Sequence, residues 1–310
     1  MTDRPEKLVL LDSASLYFRA FYGVKEDVVS PDGIPVNAVR GFLDSIARLV
    51  TDLGATRLVA CWDDDWRPQF RVDAIPSYKA HRVADAAANA EEVPDTLAPQ
   101  VPVIADVLAA LGIARIGVAG YEADDVIGTL ATRADVPVDV VTGDRDLFQL
   151  VDDARGLRVV YTAKGGVSRP ELVTEAWVAE KYGIPGRAYA DFAALRGDPS
   201  DGLPGVAGVG EKTAAALVTT YGSLAAVIAA AQAADPGARA TVHAKILAAR
   251  DYLAVAPRVV QVALDVPVPA HDDRIRATPA DPAALGALVT RWNLASSVNR
   301  VLAAMTRASA

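Results

Sequence analysis

Residues 136–146 read VPVDVVTGDRD, an apolar, β-branched run that stops at a glycine and passes at once into two acids, Asp144 and Asp146. Two other stretches share this form. Residues 7–11, KLVLL, run into Asp12, and residues 57–62, RLVACW, run into Asp63. Runs of this length bounded by turn signals read as buried strands. Helical patterns lie between them, from Val39 to Leu53 and from Pro99 to Leu111. Strands alternating with helices predict an α/β fold whose central, mostly parallel sheet is flanked by helices on both faces. Ligands in such sheets bind beyond the carboxyl ends of the strands. Asp12, Asp63 and Asp144 each fall where a strand should end. One such Asp is ordinarily a turn former or helix cap. Three in one sheet point to a shared site.

The bulk properties narrow the field. A chain of 310 residues with 52% hydrophobic residues can bury a large core. No apolar run reaches the roughly 18 residues of a spanning helix, so a soluble, cytoplasmic protein is expected. The start, MTDRPEKLVLLDS, reads as a buried strand rather than a signal peptide. Cys61 is the one cysteine, which excludes a disulfide framework or a thiolate metal site and reads as a small buried hydrophobe. The formal net charge of −8 argues against a polyanionic partner. Setting nine carboxylates aside as metal ligands would leave 30 acidic residues against 31 basic ones.

Between Asp63 and about Pro102 the strand–helix pattern lapses. The stretch WRPQFRVDAIPSYKAHRVADAAANAEEVPDT mixes cations, aromatics and prolines, and it is long for a loop inside a compact domain. From about residue 186 the chain turns helical and rich in Gly and Ala. Two units are expected, an α/β unit over residues 1–185 and a helical unit with a C-terminal extension over 186–310. No internal repeat is seen, and the Ala-rich residues 224–234 read as helix.

The acids gather in three further motifs. GYEADDVIGTLA places Glu122, Asp124 and Asp125 at the start of an amphipathic helix, with Glu122 and Asp125 on one face. Helix capping explains part of this, since acids favour the first turn, but three acids in four residues exceed what a cap needs. VTGDRDLFQL carries Asp144 and Asp146, and RGDPSDGLPG carries Asp198 and Asp201. Read singly, each is an Asp-rich turn. Together the motifs supply nine carboxylates, which would repel one another in one cleft unless cations neutralised them. Oxygen ligands without histidine select hard ions, Mg2+ or Mn2+. His81, His243 and His271 lie outside the acidic motifs, which argues against a zinc hydrolase. Two ions about 4 Å apart can activate water and stabilise both oxygens of a phosphodiester displacement.

Taken together, LVLLDSASLYFRAFYG, CWDDDWRPQFR, IPSYKAHR, GYEADDVIGTLA, VVTGDRDLFQL and RGDPSDGLPGVAGVGEKTA resemble, in order, the 5′ nuclease (flap endonuclease) superfamily in the bacterial form found at the N-terminus of DNA polymerase I. The resemblance covers most of residues 7–265. It departs from the family at Ser13, where Gly is usual, and in the acidic DDDW after Trp62. It implies a metal-dependent 5′-3′ exonuclease and flap endonuclease of DNA replication and repair with a PIN-like fold, here expected as a stand-alone monomer with no polymerase domain after residue 310. It further implies Asp12, Asp63, Glu122, Asp124 and Asp144 around one ion, and Asp125, Asp146, Asp198 and Asp201 around a second.

The same resemblance places residues from about 66 to 100 in a helical arch that threads a 5′ single strand. Lys79 and Arg82, three apart, would neutralise the scissile phosphate, and Tyr78 would offer a face for an unpaired base. Arg71 and Arg19 are further candidates for contact with DNA. GLPGVAGVGEKTA is no P-loop, because Glu211 separates Gly210 from Lys212. It reads as a glycine turn between helices. The family uses this helix–hairpin–helix on duplex DNA, with K+ on the hairpin carbonyls. Gly208 and Gly210 would let a phosphate backbone approach, and Lys212 would add charge. Two other readings stand beside this one: a non-catalytic DNA-junction-binding protein of the same fold, and an RNase.

Overall fold

In the computed structural model, residues 5–85 and 90–310 are described. Strand β1 (Leu8–Asp12) passes directly into helix α1 (Ser13–Gly23), because Asp12 caps that helix by accepting the Ser15 N–H at 3.1 Å. Helix α2 (Asn37–Leu53) ends at Gly54, whose φ of 69° favours glycine. Strand β2 (Arg57–Cys61) follows. Then come helix α3 (Gln69–Ala74) and a two-stranded antiparallel ribbon of β3 (Val83–Asp85) and β4 (Ala90–Glu91). Helix α4 (Gln100–Leu111), β5 (Ala114–Ile116), α5 (Ala123–Arg133), β6 (Val138–Thr142), β7 (Leu157–Tyr161) and β8 (Glu171–Val173) complete the sheet unit.

The sheet order is β5-β2-β1-β6-β7-β8, parallel except where β8 runs against β7. The period-two alternation of a strand sends Leu8 and Leu10 to one face and Val9 and Leu11 to the other. Val138 and Val140 join the first face and Val141 the second. Because both faces are covered, the central strands β1 and β6 are largely apolar in their interiors. The exception is Asp139, buried in mid-strand and paired with Lys7 at 3.1 Å and Arg158 at 2.6 Å. From β1 the chain moves outward to β2 and β5, then returns to the far side of β1 as β6. The strand order therefore reverses between β1 and β6, and the crevice of a doubly wound sheet opens at their carboxyl ends.

The helices after the sheet are α6 (Glu175–Tyr182), α7 (Tyr189–Arg196), α8 (Glu211–Tyr221), α9 (Leu224–Ala233), α10 (Ala240–Ala248) and α11 (Arg250–Val260). They extend the core on the Leu8–Leu10 face, through Phe192, Leu217, Val227 and Leu253. Helices α12 (Pro282–Trp292) and α13 (Ala295–Ala308) return to the other face, where Leu285, Val298, Val301 and Met305 pack with Phe42 and Ile46 of α2. No single described helix is long and apolar enough to cross a membrane.

The expected helical arch is not what the described residues form. Pro68, Pro76, Pro94 and Pro99 punctuate the segment, and Lys79 sits in the left-handed region at φ 47°. Proline removes a backbone donor and biases its predecessor to extended conformations. What results is the six-residue α3, a single 3₁₀ turn at Ala80–Arg82 and the short ribbon. Residues 86–89 of the expected arch lie outside the described residues.

Candidate active site

Adjacent strands lie roughly 4.8 Å apart, so acids at the ends of β2, β1 and β6 fall in a row. Asp12 ends β1, Asp63 follows β2 by two residues, and Asp144 follows β6 by two. Each is held by regular structure. Thr142 donates its hydroxyl to Asp12 Oδ2 at 2.6 Å, and the Asp144 N–H donates back to Thr142 Oγ1 at 2.9 Å. Asp63 Oδ1 accepts the N–H of Ala123, the first residue of α5, at 2.8 Å. The start of α5 thereby brings Glu122 and Asp124 to the same place. Asp12, Asp63, Glu122, Asp124 and Asp144 line one open basin of about 470 Å³, with Lys79, Arg82, His81, Glu91 and Glu92 on its other side.

The electrostatics of the basin are those of crowded acids. Burial, opposed by hydrogen bonds from Thr142 and Ser15, pushes Asp12 up to about 6, with Asp144 adding to the rise. Burial likewise pushes Asp63 up to about 7 against the attraction of Lys79. Asp124 is raised well above the carboxylate range by desolvation and then by Asp12 and Asp144. A second group adjoins the first. Asp146 is raised by desolvation and by Asp144, Asp201 and Asp198, and burial pushes Asp201 up to about 6. Asp198 is buried at the edge of this group. It caps the turn Pro199–Asp201 through the Ser200 N–H, with Arg196 at 3.3 Å and Arg145 at 3.4 Å.

Two expected cations reach the basin, although not from one helix face. Lys79 Nζ donates to Glu122 Oε2 at 2.6 Å, and Arg82 Nη2 donates to Asp201 Oδ1 at 3.0 Å. Each is thus paired with a candidate ligand, one in each acidic group. Among the described residues no three His, Cys, Asp or Glu side chains already stand as a cage for one ion. The acids instead line an open basin of oxygen donors, partly buried and mutually repelling. That donor set fits a hard divalent cation that keeps part of its water shell.

Three assignments need correction. Asp125 is not placed to bind metal: it is fully buried, and both its oxygens lie 2.7 Å from the guanidinium of Arg71. It also accepts the backbone N–H groups of Glu122 and Ala263. Glu122 and Asp125 do share a helical face, but the sharing builds a capping box and a buried ion pair. Arg71 is consequently not a DNA contact. It is buried, and its Nε donates to the Val259 carbonyl at 3.0 Å, so it ties α3 to the end of α11. Tyr78 offers no stacking face, since it is buried and its hydroxyl donates to Glu122 Oε1 at 2.8 Å.

The remaining candidates lie outside the basin. Arg19 donates to the Ala163 carbonyl at 3.1 Å, and its buried Nε has no partner. With Phe18 and exposed Tyr22 it lines a shallow pocket beside the basin. Gly208, Gly210 and Lys212 are exposed around the start of α8. The Gly208 carbonyl already accepts Lys245 Nζ at 2.8 Å, so the chain itself supplies a positive charge where K+ was expected. Sequence reasoning missed Glu91 and Glu92, which only the ribbon brings to the basin. It also missed Arg145 and Arg196, although both adjoin acidic motifs in the sequence.

The 5′-3′ exonuclease N-terminal resolvase-like domain matches residues 7–183, and the 5′-3′ exonuclease C-terminal SAM fold matches residues 184–283. A 5′-3′ exonuclease of Streptomyces coelicolor is 61% identical over 303 residues, covering 96% of this chain and all of that protein. One of Mycobacterium tuberculosis is 52% identical over 310 residues, covering 96% and 97%. A bacteriophage T5 flap endonuclease, crystallised with DNA and metal ions, shares the fold at a TM-score of 0.63 and 17% identity, with 97% of each chain covered. The family match over both parts of the chain, with identity above half across nearly its full length, shows that this protein belongs to the 5′-3′ exonuclease family.

Proposed function

We propose that the basin hydrolyses DNA phosphodiesters at 5′ ends and 5′ flaps by a two-metal mechanism, with the protein working as a cytoplasmic monomer in replication and repair. The observation that carries this reading is the row of crowded carboxylates at the β1/β6 switch point, running from buried Asp12 and Glu122 to exposed Asp144, with Lys79 and Arg82 facing it. Asp12, Asp63, Glu122, Asp124 and Asp144 would hold one Mg2+ or Mn2+, and Asp146, Asp201 and Asp198 the second. Such ions supply an activated water and neutralise charge on the phosphate. Lys79 and Arg82 would act on that charge too, because a preorganised cation in a desolvated site counts most when charge develops. Both must first leave Glu122 and Asp201, which ion binding to those carboxylates would favour. Arg19 would contact the strand beside the basin. Gly208, Gly210 and Lys212 would hold the duplex by its phosphates, with no need of a separate K+.

A cleavage assay on labelled 5′-flap duplexes, one with a DNA flap and one with RNA, tests the reading. DNA cutting in Mg2+ or Mn2+ that stops with chelator is the expected result. Undiminished cutting in excess chelator rules out the metal mechanism, and preference for the RNA flap reassigns the substrate.

A further inference from the structure

The β3–β4 ribbon brings to the basin a carboxylate that no strand end supplies. Glu91 pairs with Val83 across the ribbon, and the Glu92 N–H donates to the Arg82 carbonyl at 2.9 Å. These bonds fix the second strand of the ribbon against the segment carrying Lys79 and Arg82. Glu91 is half-buried and lines the basin with both cations. Of the other acids there, Glu122 has Lys79 and Tyr78 and Asp12 has Thr142, while Asp124 stands among the candidate metal ligands; Asp201, beside the basin, has Arg82. Among the described residues the Glu91 carboxylate has no hydrogen bond. It lies in the field of Arg82 and Lys79, opposed by Glu122. A half-buried carboxylate without a bond contributes little to the fold, and facing a polyanion it weakens binding.

We propose that Glu91 is a specificity-determining counter-charge that competes with the substrate phosphate for Lys79 and Arg82. A loose single strand meets this repulsion with only its own phosphates to offset it. A strand joined to a duplex held elsewhere on the protein arrives at high effective concentration and overcomes it. Glu91 therefore selects strands that belong to a junction. This inference rests on reading the basin as a phosphodiester site.

Equilibrium binding of a free single-stranded DNA, with Ca2+ replacing Mg2+, tests it in the wild type, Glu91→Gln and Glu91→Asp. Glu91→Gln should bind the single strand about 3- to 10-fold tighter, the scale of one unit charge at partly screened range. Its affinity should fall more steeply with salt, while Glu91→Asp keeps wild-type behaviour. In a Lys79→Ala background the gain from Glu91→Gln should shrink, since one of the contested cations is gone. Unchanged or weaker binding by Glu91→Gln overturns the inference, and so does equal tightening by Glu91→Asp. Wild-type cleavage of the flap duplex in Mg2+ separates the two layers. If the wild type cuts and Glu91→Gln binds no tighter, only the role of Glu91 fails. If the wild type neither binds nor cuts, the reading of the basin fails with it.

Discussion

The two walls of the basin are built on different terms. On one side, Asp12, Asp63 and Asp144 stand at or just beyond the ends of neighbouring parallel strands, and each is tied by a hydrogen bond to an adjoining element. On the other, the described residues between 66 and 99 have little regular structure and are anchored through side chains: Arg71 on Asp125, Tyr78 and Lys79 on Glu122, Arg82 on Asp201. The sheet side fixes positions without regard to what occupies the basin. The other side is held in large part by Glu122 and Asp201, which a bound cation would claim. A site that needs rigid ligands and displaceable cations gains from this division, because a contact that can be exchanged is available to the substrate.

Neighbouring residues of α5 offer the sharpest way to break this comparison. Asp124 faces the basin and has no hydrogen-bonded partner among the described residues, whereas Asp125 is buried under Arg71. Asp124→Asn should abolish turnover while leaving the melting temperature unchanged or higher, because it removes a desolvated charge. Asp125→Asn takes from buried Arg71 its bidentate partner, leaving only Glu122 at 3.4 Å, and should destabilise the fold by about 3 kcal/mol. Thermal melting beside a single-turnover assay separates the two. Equal loss of stability in both variants would mean that the acids near the basin form one structural network.

Lys79→Ala probes the exchangeable side. If its ammonium acts on charge that grows during reaction, the single-turnover rate should fall on the order of 10²-fold, the scale for one preorganised electrostatic contact. Glu122 keeps Tyr78 and Arg71 as partners, so Mn2+ affinity measured by calorimetry should hold or improve. A variant that loses metal affinity in proportion to its rate would make Lys79 a support for Glu122 and nothing more.

The contrast between the walls also explains how much could be read from residues alone. Strand ends are legible because an apolar run broken by an acid encodes both the element and the position of its last side chain. The sheet and three basin acids follow from that, and Glu122 and Asp124 from the acidic start of α5. The other wall depends on pairs far apart in sequence, such as Arg71 with Asp125 and Arg82 with Asp201. A stretch of prolines and cations gives no period from which to derive those pairs. Lys79 and Arg82 were found as cations, but Arg71 and Tyr78 looked equally available. Spacing could not tell a buried partner of an acid from a free one. Glu91 was invisible for the same reason, since only the ribbon register brings it to the basin.

The raised carboxylates give the sheet wall a pH dependence with a defined sign. A folded-state pKa above the ordinary value stabilises the fold at low pH and loses that contribution as pH rises through it. For Asp12 and Asp63 the loss runs from about pH 4 through values near 6 and 7. Divalent cations bind the ionised form, so they should restore stability at pH 8 and do little at pH 5. At a hundredfold excess over its dissociation constant, Mg2+ should raise the melting temperature by about 4 °C at pH 8. An equal gain at pH 5 would show that the ion binds elsewhere.

Lys212 should show the smallest effect, and it tests whether the helical unit stands apart from both walls. It is exposed in the first turn of α8, outside the basin, and close to Gly210, which has open space beside it. A lysine in that position contributes one phosphate contact, which acts equally on the ground state and on the reacting complex. Uniform binding of that kind changes affinity and leaves the chemical step alone. Lys212→Ala should therefore weaken duplex binding modestly and reduce the slope of log affinity against log salt by about 1. At saturating enzyme the single-turnover rate should match the wild type. The buried Arg71–Asp125 pair touches both α5 and the end of α11, which gives the helical unit one physical route to the basin. If Lys212→Ala lowers the saturated rate while the salt slope stays the same, duplex binding acts through that route on the position of Lys79. The two walls and the hairpin would then work as one device rather than three.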